Sequence, residues 1–351
     1  MTRPGLRMLT GGAIAIAGFA WLFHDVPLRA ALDVTGHVAW PAAMLAVVSD
    51  IAAYGCQGLR WRVLLQPVGR ASWLDTTEAI YAGLFANELL PFRPGEALRG
   101  VLMARALDVS IARVVSSVLV ERLFDGVWLA CGLAAAALTM ALPPGLARAA
   151  RLFSLAIVAI VVALAIVLAA LAARPARRRA LPRLLREPAE ELAGIGSSRA
   201  AASAFALSLV FLLLQALAFW FAARAVALPM SIPAAIVVLL VQHLGTMVPN
   251  APANLGTYQV AVVLGLALFG VNKATATGFS LFVFVLLTGP LWVIGAAATW
   301  RLRRRAQARA ARPASWGSSA RDVSGRPPYF SSHAITSEPS DRNTNTMKPI
   351  A

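Results

Sequence analysis

The chain has 351 residues, of which 59% are hydrophobic and only 14% are charged. The apolar residues fall in long continuous runs and not in the amphipathic stripes of soluble helices, which excludes an ordinary water-soluble globular protein. A formal net charge of +16 would indicate nucleic acid in a soluble protein. Because the arginines lie at the ends of the apolar runs and in the tail, we expect a membrane protein whose positive charge sets its topology, and no nucleic-acid partner.

Eight apolar stretches follow one another along the chain. Six of them reach the roughly 20 apolar residues that cross a bilayer. These predicted spans cover residues 8–23, 38–56, 114–141, 151–173, 201–227 and 275–300. Two further stretches, 73–105 and 232–271, are interrupted by proline, glycine and asparagine. The first span could be a signal peptide, but no convincing cleavage site follows Trp21, so we expect it to be retained.

Arginine-rich segments predict which ends of the spans face the cytoplasm, because positive residues remain inside during insertion. Arginines cluster near the N-terminus and then at residues 60–70, 174–186 and, in the tail, 301–312. We therefore expect both termini to be cytoplasmic, in a protein of the inner (cytoplasmic) membrane, and Arg60 to lie in a cytoplasmic loop. Arg148 and Arg151 conflict with this topology, because they fall in a loop predicted to be outside.

The composition changes near residue 313. Residues 1–312 are predicted to form one membrane domain, whereas Ser, Pro, Arg, Asp and Asn dominate residues 313–351. Too little of that tail can be buried to offset its ordering, so we expect a disordered cytoplasmic tail. Cys56 and Cys131 are the only cysteines, and their separation offers neither a disulfide framework nor a metal-ligand spacing, which predicts two free thiols.

The first interrupted stretch breaks at the sequence NELLPFRPGE, which begins with Asn87. Two prolines and a glycine there make a continuous helix improbable. If a helix restarts near Pro94, the spacing of three places Arg93, Glu96 and Arg99 on one face. One interpretation is a capped helix end with a local salt bridge at the inner surface. The other is a cationic lining that grips the oxygens of a phosphate bidentately.

The next predicted span contains the sequence VERLFDGVW, which places three charged residues inside a long apolar helix. Charges at such positions are costly unless they are paired. Glu121, Arg122 and Asp125 are separated by three and four residues, so all three can face the interior of the bundle. They are interpreted as partners of the arginines at the first break. The alternatives are a lining of the substrate path and a proton-sensitive carboxylate.

The second interrupted stretch has prolines and glycines spaced to stop one helix and start another near Leu255. The N-terminus of such a helix would point inward and favour an anion such as a lipid phosphate. Neutral hydrogen-bonding side chains lie near this helix start in the sequence, at Asn250, Asn254, Thr257, Tyr258 and Gln259. His243 is interpreted as a hydrogen-bonded packing histidine, or alternatively as a proton carrier. Gln215 is expected to make an interhelical hydrogen bond.

Helix breaks at membrane depth are tolerated only where they are buried or line a wet cavity. One broken hairpin in each half of the chain is the pattern of inverted repeats around a midplane site. An alternative topology, in which the second interrupted stretch crosses the membrane twice, fits the distribution of arginines equally well. We therefore predict an all-α polytopic membrane bundle of about six to eight spans, with two broken or re-entrant helical hairpins, and leave the inverted repeat open.

Three patterns in order carry a family resemblance: N-x-x-x-P-x-R-x-G-E-x-x-R from Asn87, E-R-x-x-D from Glu121, and P-x-x-P-x-x-x-G from Pro249. Together they resemble the transmembrane region of lysylphosphatidylglycerol synthases and their stand-alone flippase-like relatives, some of which are associated with hopanoid biosynthesis. The match covers roughly residues 10–300. Relatives often carry glutamate after the second turn, where this chain has Gln259. Aminoacyl-transferring members add a soluble catalytic domain, so the resemblance implies the transport half alone.

The resemblance implies translocation or export of a membrane lipid, either an anionic phospholipid or an isoprenoid-type lipid. The expected substrate-binding residues are Asn87, Arg93, Glu96, Arg99, Glu121, Arg122, Asp125, Asn250, Asn254, Tyr258 and Gln259. The alternatives are a non-catalytic scaffold of a lipid-synthesis complex and a membrane enzyme acting on lipid-linked substrates. No nucleotide-binding loop, metal-ligand cluster or activated nucleophile is visible in the sequence, so we expect no enzymatic activity, cofactor or metal. Membrane lipids and lipid-synthesis enzymes are the expected partners.

Overall fold

Helices account for nearly all of the described chain, which comprises residues 3–90, 94–139, 144–173, 199–247 and 252–310 of a computed structural model. Within these ranges the backbone forms eleven α-helices and two short 3₁₀-helices, with no strand. This confirms the predicted all-α class. The described residues up to Arg304 belong to one packed unit. The tail predicted to be disordered, 313–351, lies outside the described residues.

The eleven helices are numbered in chain order. The first seven are α1 (Arg3–Phe23), α2 (Leu28–Leu32), α3 (Trp40–Leu64), α4 (Trp73–Leu89), α5 (Gly95–Leu107), α6 (Ile111–Thr139) and α7 (Pro144–Ala173). The remaining four are α8 (Arg199–Ala225), α9 (Ile232–Gly245), α10 (Thr257–Ala267) and α11 (Lys273–Ala310). The 3₁₀-helices cover Asp33–Thr35 and Pro252–Asn254.

All eight apolar stretches found in the sequence are helical in the structure. The six continuous runs correspond to α1, α3, α6, α7, α8 and α11, and each interrupted stretch forms a pair of shorter helices, α4 with α5 and α9 with α10. The placement of Arg148 and Arg151 in an outer loop was wrong. Both lie within α7, which begins at Pro144 because proline is pre-organised for the first turn of a helix and its missing N–H needs no partner there.

Among the described residues, three helices are long and apolar enough to cross a membrane by length and composition alone: α3, α8 and the part of α11 from Lys273 to Ala308. Shorter apolar helical segments occupy Gly12–Phe23, Arg151–Ala163 and Ile232–Gly245. Although α6 has 29 residues, charged side chains interrupt its apolar sequence. The chain is thus a membrane protein with several apolar helices among its described residues.

Small side chains bring α3 and α8 into the most extensive helix pairing of the bundle. Ala46 and Ala53 of α3 are completely buried, as are Ala222 and Ala223 of α8. Small residues allow helix backbones to approach closely where apolar lipid offers little hydrophobic drive for association. The largest apolar core grows from this pair and includes Leu22, Phe219, Val238, Val262 and Phe279.

A second apolar core lies between α3 and the first short helix pair. It contains Trp61 and Leu65 at the end of α3, Ile80 of α4, Met103 of α5 and Val114 of α6. The helix α3 therefore contributes to both cores.

Candidate functional site

At the first break, α4 ends at Leu89 and α5 begins at Gly95. A Cβ atom added at Gly95 would come within 1.9 Å of the carbonyl oxygen of Gly83, so the two helices approach backbone to backbone there. The side-chain Oδ1 of Asn87 accepts a hydrogen bond from the Gly95 N–H at 2.7 Å. This bond satisfies one of the unpaired donors at the start of α5. The predicted restart near Pro94 is confirmed, whereas Arg93 lies outside the described residues.

The second break is stabilised differently, by uncharged groups. Gly256 precedes α10 with a φ of 84°, a region that favours glycine. Its N–H donates to Oε1 of Gln259 at 2.8 Å, so the glutamine caps the helix that carries it. A Cβ atom added at Gly18 of α1 would lie 3.1 Å from Gly256, which shows how closely α1 covers the turn. Of the predicted residues here, Asn250 lies outside the described part of the chain.

Among the described residues, six charged side chains meet beside the first break, and we call them the charge cluster. Its members are the arginines Arg60, Arg99 and Arg122 and the acids Glu96, Glu121 and Asp125. Three positive and three negative groups give the charge cluster a formal charge of zero. Complete pairing of this kind is what allows charged side chains to persist in an apolar bundle.

Glu121 is the centre of the charge cluster and is fully buried. One of its carboxylate oxygens lies 2.5 Å from Nη2 of Arg60, and the other lies 2.9 Å from Nη2 of Arg99. Nε2 of Gln57 donates a third bond to Glu121 at 2.7 Å. These partners replace the water that the carboxylate loses on burial. The predicted pairing of Glu121 with an arginine of the first break is confirmed through Arg99.

The outer members of the charge cluster are more exposed. Glu96 bridges Arg99 at 2.7 Å and Arg122 at 2.5 Å, while Arg122 also reaches Asp125 at 3.2 Å. Asp125 contacts Arg60 as well. The side chains of Arg122 and Asp125 remain 47% and 23% exposed. The outer edge of the charge cluster is therefore its accessible part.

The assignment of Arg60 to a cytoplasmic loop was wrong. Helix α3 continues to Leu64, and Arg60 is completely buried within it. Its Nη1 donates to the Ser208 hydroxyl at 2.8 Å, and its guanidinium lies 5.3 Å from the ring centre of Phe211. The available cue was that the apolar sequence resumes after Arg60.

A cavity of about 540 Å³ lies between the two breaks. The first break contributes Asn87, Glu88 and Glu96, and the second contributes Asn254 and Tyr258. Apolar and aromatic groups complete the wall, including Trp128, Phe153, Phe211, Phe219 and Phe284. The wall therefore combines apolar side chains with about as many polar ones. Its volume is within the usual range of a ligand pocket.

The predicted site residues divide into three groups. Those that line the cavity are Asn87, Glu96, Arg122, Asp125, Asn254 and Tyr258. Arg99 and Glu121 lie behind this wall in the charge cluster, and Gln259 caps α10. Arg93 and Asn250 lie outside the described residues. The cavity therefore brings together six residues from distant parts of the sequence.

His243 and Gln215 line the cavity, and a hydrogen bond was predicted for each of them. His243 has Nδ1 at 2.9 Å from the carbonyl oxygen of Leu239, which agrees with a hydrogen-bonded histidine. The interhelical bond expected of Gln215 is not found among the described residues, where its buried Oε1 has no hydrogen-bond partner. Gln215 lines the cavity instead, so its amide faces the open space between helices.

Sequence reasoning also missed Asp50. This residue lies inside the predicted span 38–56, is only 8% exposed, and lines the cavity from α3. The signal was present, because a single acidic residue within an apolar span indicates a functional position. The two free thiols were predicted correctly at Cys56 and Cys131.

A known family matches most of the chain. A family model described as the lysylphosphatidylglycerol synthase TM region matches residues 8–295. The matched range contains both breaks, the whole charge cluster and every residue that lines the cavity. No curated protein matches the chain.

Proposed function

Because the chain belongs to the family of the lysylphosphatidylglycerol synthase transmembrane region, we propose that it translocates or exports a lipid across the cytoplasmic membrane. The observation that supports this proposal best is the cavity shared by both helix breaks. Interrupted helices at a common site are a recurring feature of secondary transporters, where broken segments surround the substrate near the middle of the bilayer.

The cavity suits a lipid headgroup better than a whole lipid. Its volume of about 540 Å³ accommodates a polar group, while long acyl chains would have to remain outside in the bilayer. Such a division lets the bundle shield the charge of the headgroup, which is the costly part of moving a lipid through hydrocarbon. Headgroup shielding alone is sufficient to accelerate translocation.

The arginine arrangement indicates how an anionic headgroup would bind. Arg99 is 3% exposed and lies behind the cavity wall, so Arg122 is the described arginine that reaches the cavity. A phosphate would exchange with Glu96 or Asp125 on the Arg122 guanidinium, because all three can accept the same donors. The proposal covers anionic phospholipids and isoprenoid-type lipids, which share this phosphate chemistry.

The proposal includes a membrane arrangement. The six continuous runs would cross the membrane, the helix pairs α4–α5 and α9–α10 would enter it as broken hairpins or cross twice, and both termini would be cytoplasmic. The pair α4–α5 contains helices of 17 and 13 residues, or about 26 and 20 Å at 1.5 Å per residue. Both are shorter than the roughly 30 Å hydrocarbon core, which supports a hairpin that turns within the membrane.

The cavity is proposed to bind and move its ligand without chemical change. Of its acids, Glu96 and Asp125 are engaged with Arg122 in the charge cluster, which suits reversible exchange with a headgroup. Membrane lipids are the proposed ligands, and lipid-synthesis enzymes that supply them are the proposed partners. A non-catalytic scaffold is the competing function, and it differs in having no need for the charge at the cavity edge.

Lipid movement in proteoliposomes tests the proposal. Anionic, aminoacylated and isoprenoid lipids are compared for the wild type, Arg122→Gln and Glu96→Gln, with Arg62→Gln as a control because Arg62 is exposed on the same helix as Arg60. We expect the wild type and Arg62→Gln to move at least one lipid. Loss of charge-assisted bonds should slow Arg122→Gln and Glu96→Gln by about tenfold or more. Movement no faster than in empty vesicles, for every lipid, would refute translocation and favour the scaffold.

A further inference from the structure

Asp50 occupies the middle of an apolar helix. It is the eleventh of the 25 residues of α3, about 15 Å from the first residue at a rise of 1.5 Å per residue. Its side chain is more than nine-tenths buried, and it lines the cavity. Asp50 therefore reaches polar space at a depth where an acidic side chain is otherwise disfavoured.

Asp50 has no hydrogen bond or ion pair with any described residue. Arg60 is the nearest arginine along α3, but ten residues separate them, or about 15 Å along the helix. The Arg60 guanidinium is already bound to Glu121 and Asp125. The charge cluster compensates its own acids and supplies no cation to Asp50.

The described groups that interact electrostatically with Asp50 are tyrosines, and the arginine that shares its cavity wall is paired within the charge cluster. Tyr54 on the same helix, Tyr81 of α4 and Tyr258 of α10 interact with it electrostatically, and Glu88 of α4 interacts with the same tyrosines Tyr54 and Tyr258. The facing helix α8 has no charged residue between Arg199 and Arg224, at its two ends. From α6 the acids and Arg122 belong to the charge cluster, and α9 adds His243 at the cavity wall.

We propose that Asp50 is a proton-carrying group that couples lipid movement through the cavity to a proton gradient. An unpaired carboxylate in an apolar bundle must acquire a positive partner, and the described surroundings leave the proton as the cation that fits. A proton from water on one side of the membrane forms an O–H bond with the carboxylate, which changes from −1 to neutral. After the cavity changes its exposure, that bond breaks and the proton passes to water on the other side.

Protonation of Asp50 can select between cavity conformations because its two forms have different solvation needs. The charged form requires a hydrated cavity, whereas the neutral form tolerates closure of apolar helices around it. A ligand that binds one state better shifts the equilibrium by its differential affinity. The inference rests on the proposed lipid translocation for its coupling, but proton binding at Asp50 can be measured without any lipid movement.

The first experiment is infrared difference spectroscopy of the purified full chain between acidic and alkaline buffers. Asp50→Asn should remove a protonated-carboxyl C=O band that is present in the wild type and in Asp33→Asn, a control at an exposed aspartate. Asp50→Glu should retain the band at a shifted position, which provides a second test if Asp50→Asn does not fold. A band that is unchanged in both Asp50 variants, or that is absent from the wild type, would overturn the inference.

The second experiment measures lipid distribution in proteoliposomes under an imposed gradient of about one pH unit. If one proton accompanies one lipid, the wild type should enrich the moved lipid about tenfold in one leaflet, because one pH unit is a tenfold ratio of proton activity. Asp50→Asn should equalise the leaflets. A wild type that moves lipid but ignores the gradient would refute coupling while leaving translocation intact. Movement of no lipid would refute translocation and, with it, coupling, while the infrared band would still decide proton binding.

Discussion

The two helix breaks solve the same structural problem with opposite chemistry. The first is supported by the charge cluster, in which Glu121 is fully buried between two arginines. The second is supported by neutral contacts, with Gln259 capping α10 and α1 covering Gly256. Charged support is strong only while every member keeps its partner, whereas neutral support depends on close fit. The first break should therefore be the more sensitive to loss of one group.

Removal of Arg60 should have the largest effect on this comparison. Arg60→Ala leaves Glu121 and Asp125 without their shared partner, and breaking a buried ion pair typically costs about 3–5 kcal/mol. We expect a large fall in the midpoint temperature of thermal unfolding, measured in detergent by intrinsic tryptophan fluorescence. Arg62→Ala, at an exposed position two residues away, is the matched control and should leave the unfolding midpoint nearly unchanged. Equal effects of the two substitutions would show that the charge cluster does not stabilise the first break.

Backbone contact at the first break gives the next largest effect. Gly95→Ala places a Cβ atom within 1.9 Å of the Gly83 carbonyl oxygen, so α4 and α5 must separate. Overpacking against a fixed backbone typically costs about 1–3 kcal/mol or more. Gly100→Ala in the same helix meets nothing within 4 Å and should be neutral or stabilising, because alanine favours helix. Unfolding midpoints of the two variants give the comparison, and a Gly95→Ala variant as stable as Gly100→Ala would contradict the close approach.

The smallest expected difference in stability tests how closely helix α1 packs against the second break. Gly256→Ala and Gly270→Ala both place a side chain at positive φ, at a cost of about 1–3 kcal/mol each. A Cβ atom at Gly256 would also lie 2.8 Å from the carbonyl oxygen of Ala15, whereas one at Gly270 meets nothing within 4 Å. We expect Gly256→Ala to be the less stable by about 1 kcal/mol in denaturant titrations. A reversed order would show that α1 does not restrict this turn.

Local sequence signals predicted the helices well. Each apolar run became a helix, and the prolines and glycines correctly marked both interruptions because they act on their own backbone and immediate neighbours. The spacing of Glu96 and Arg99 likewise predicted an ion pair within one helix. Predictions from the sequence were wrong where one local pattern is compatible with two different structures. Arginine after an apolar run usually marks a cytoplasmic loop, but Arg60 remains inside α3.

The sequence by itself determined the membrane class, the helical segments, the positions of the two breaks and the family, because hydropathy, backbone restriction and motif spacing are properties of contiguous residues. Only the tertiary structure decided that Arg60 joins the charge cluster, that Arg99 lies behind the cavity wall, and that Asp50 reaches the cavity without a hydrogen bond or ion pair to any described residue. These outcomes depend on how helices far apart in sequence rotate and pack. A charge is costly or compensated according to which side chains surround it, and that is set by the packing of the whole bundle.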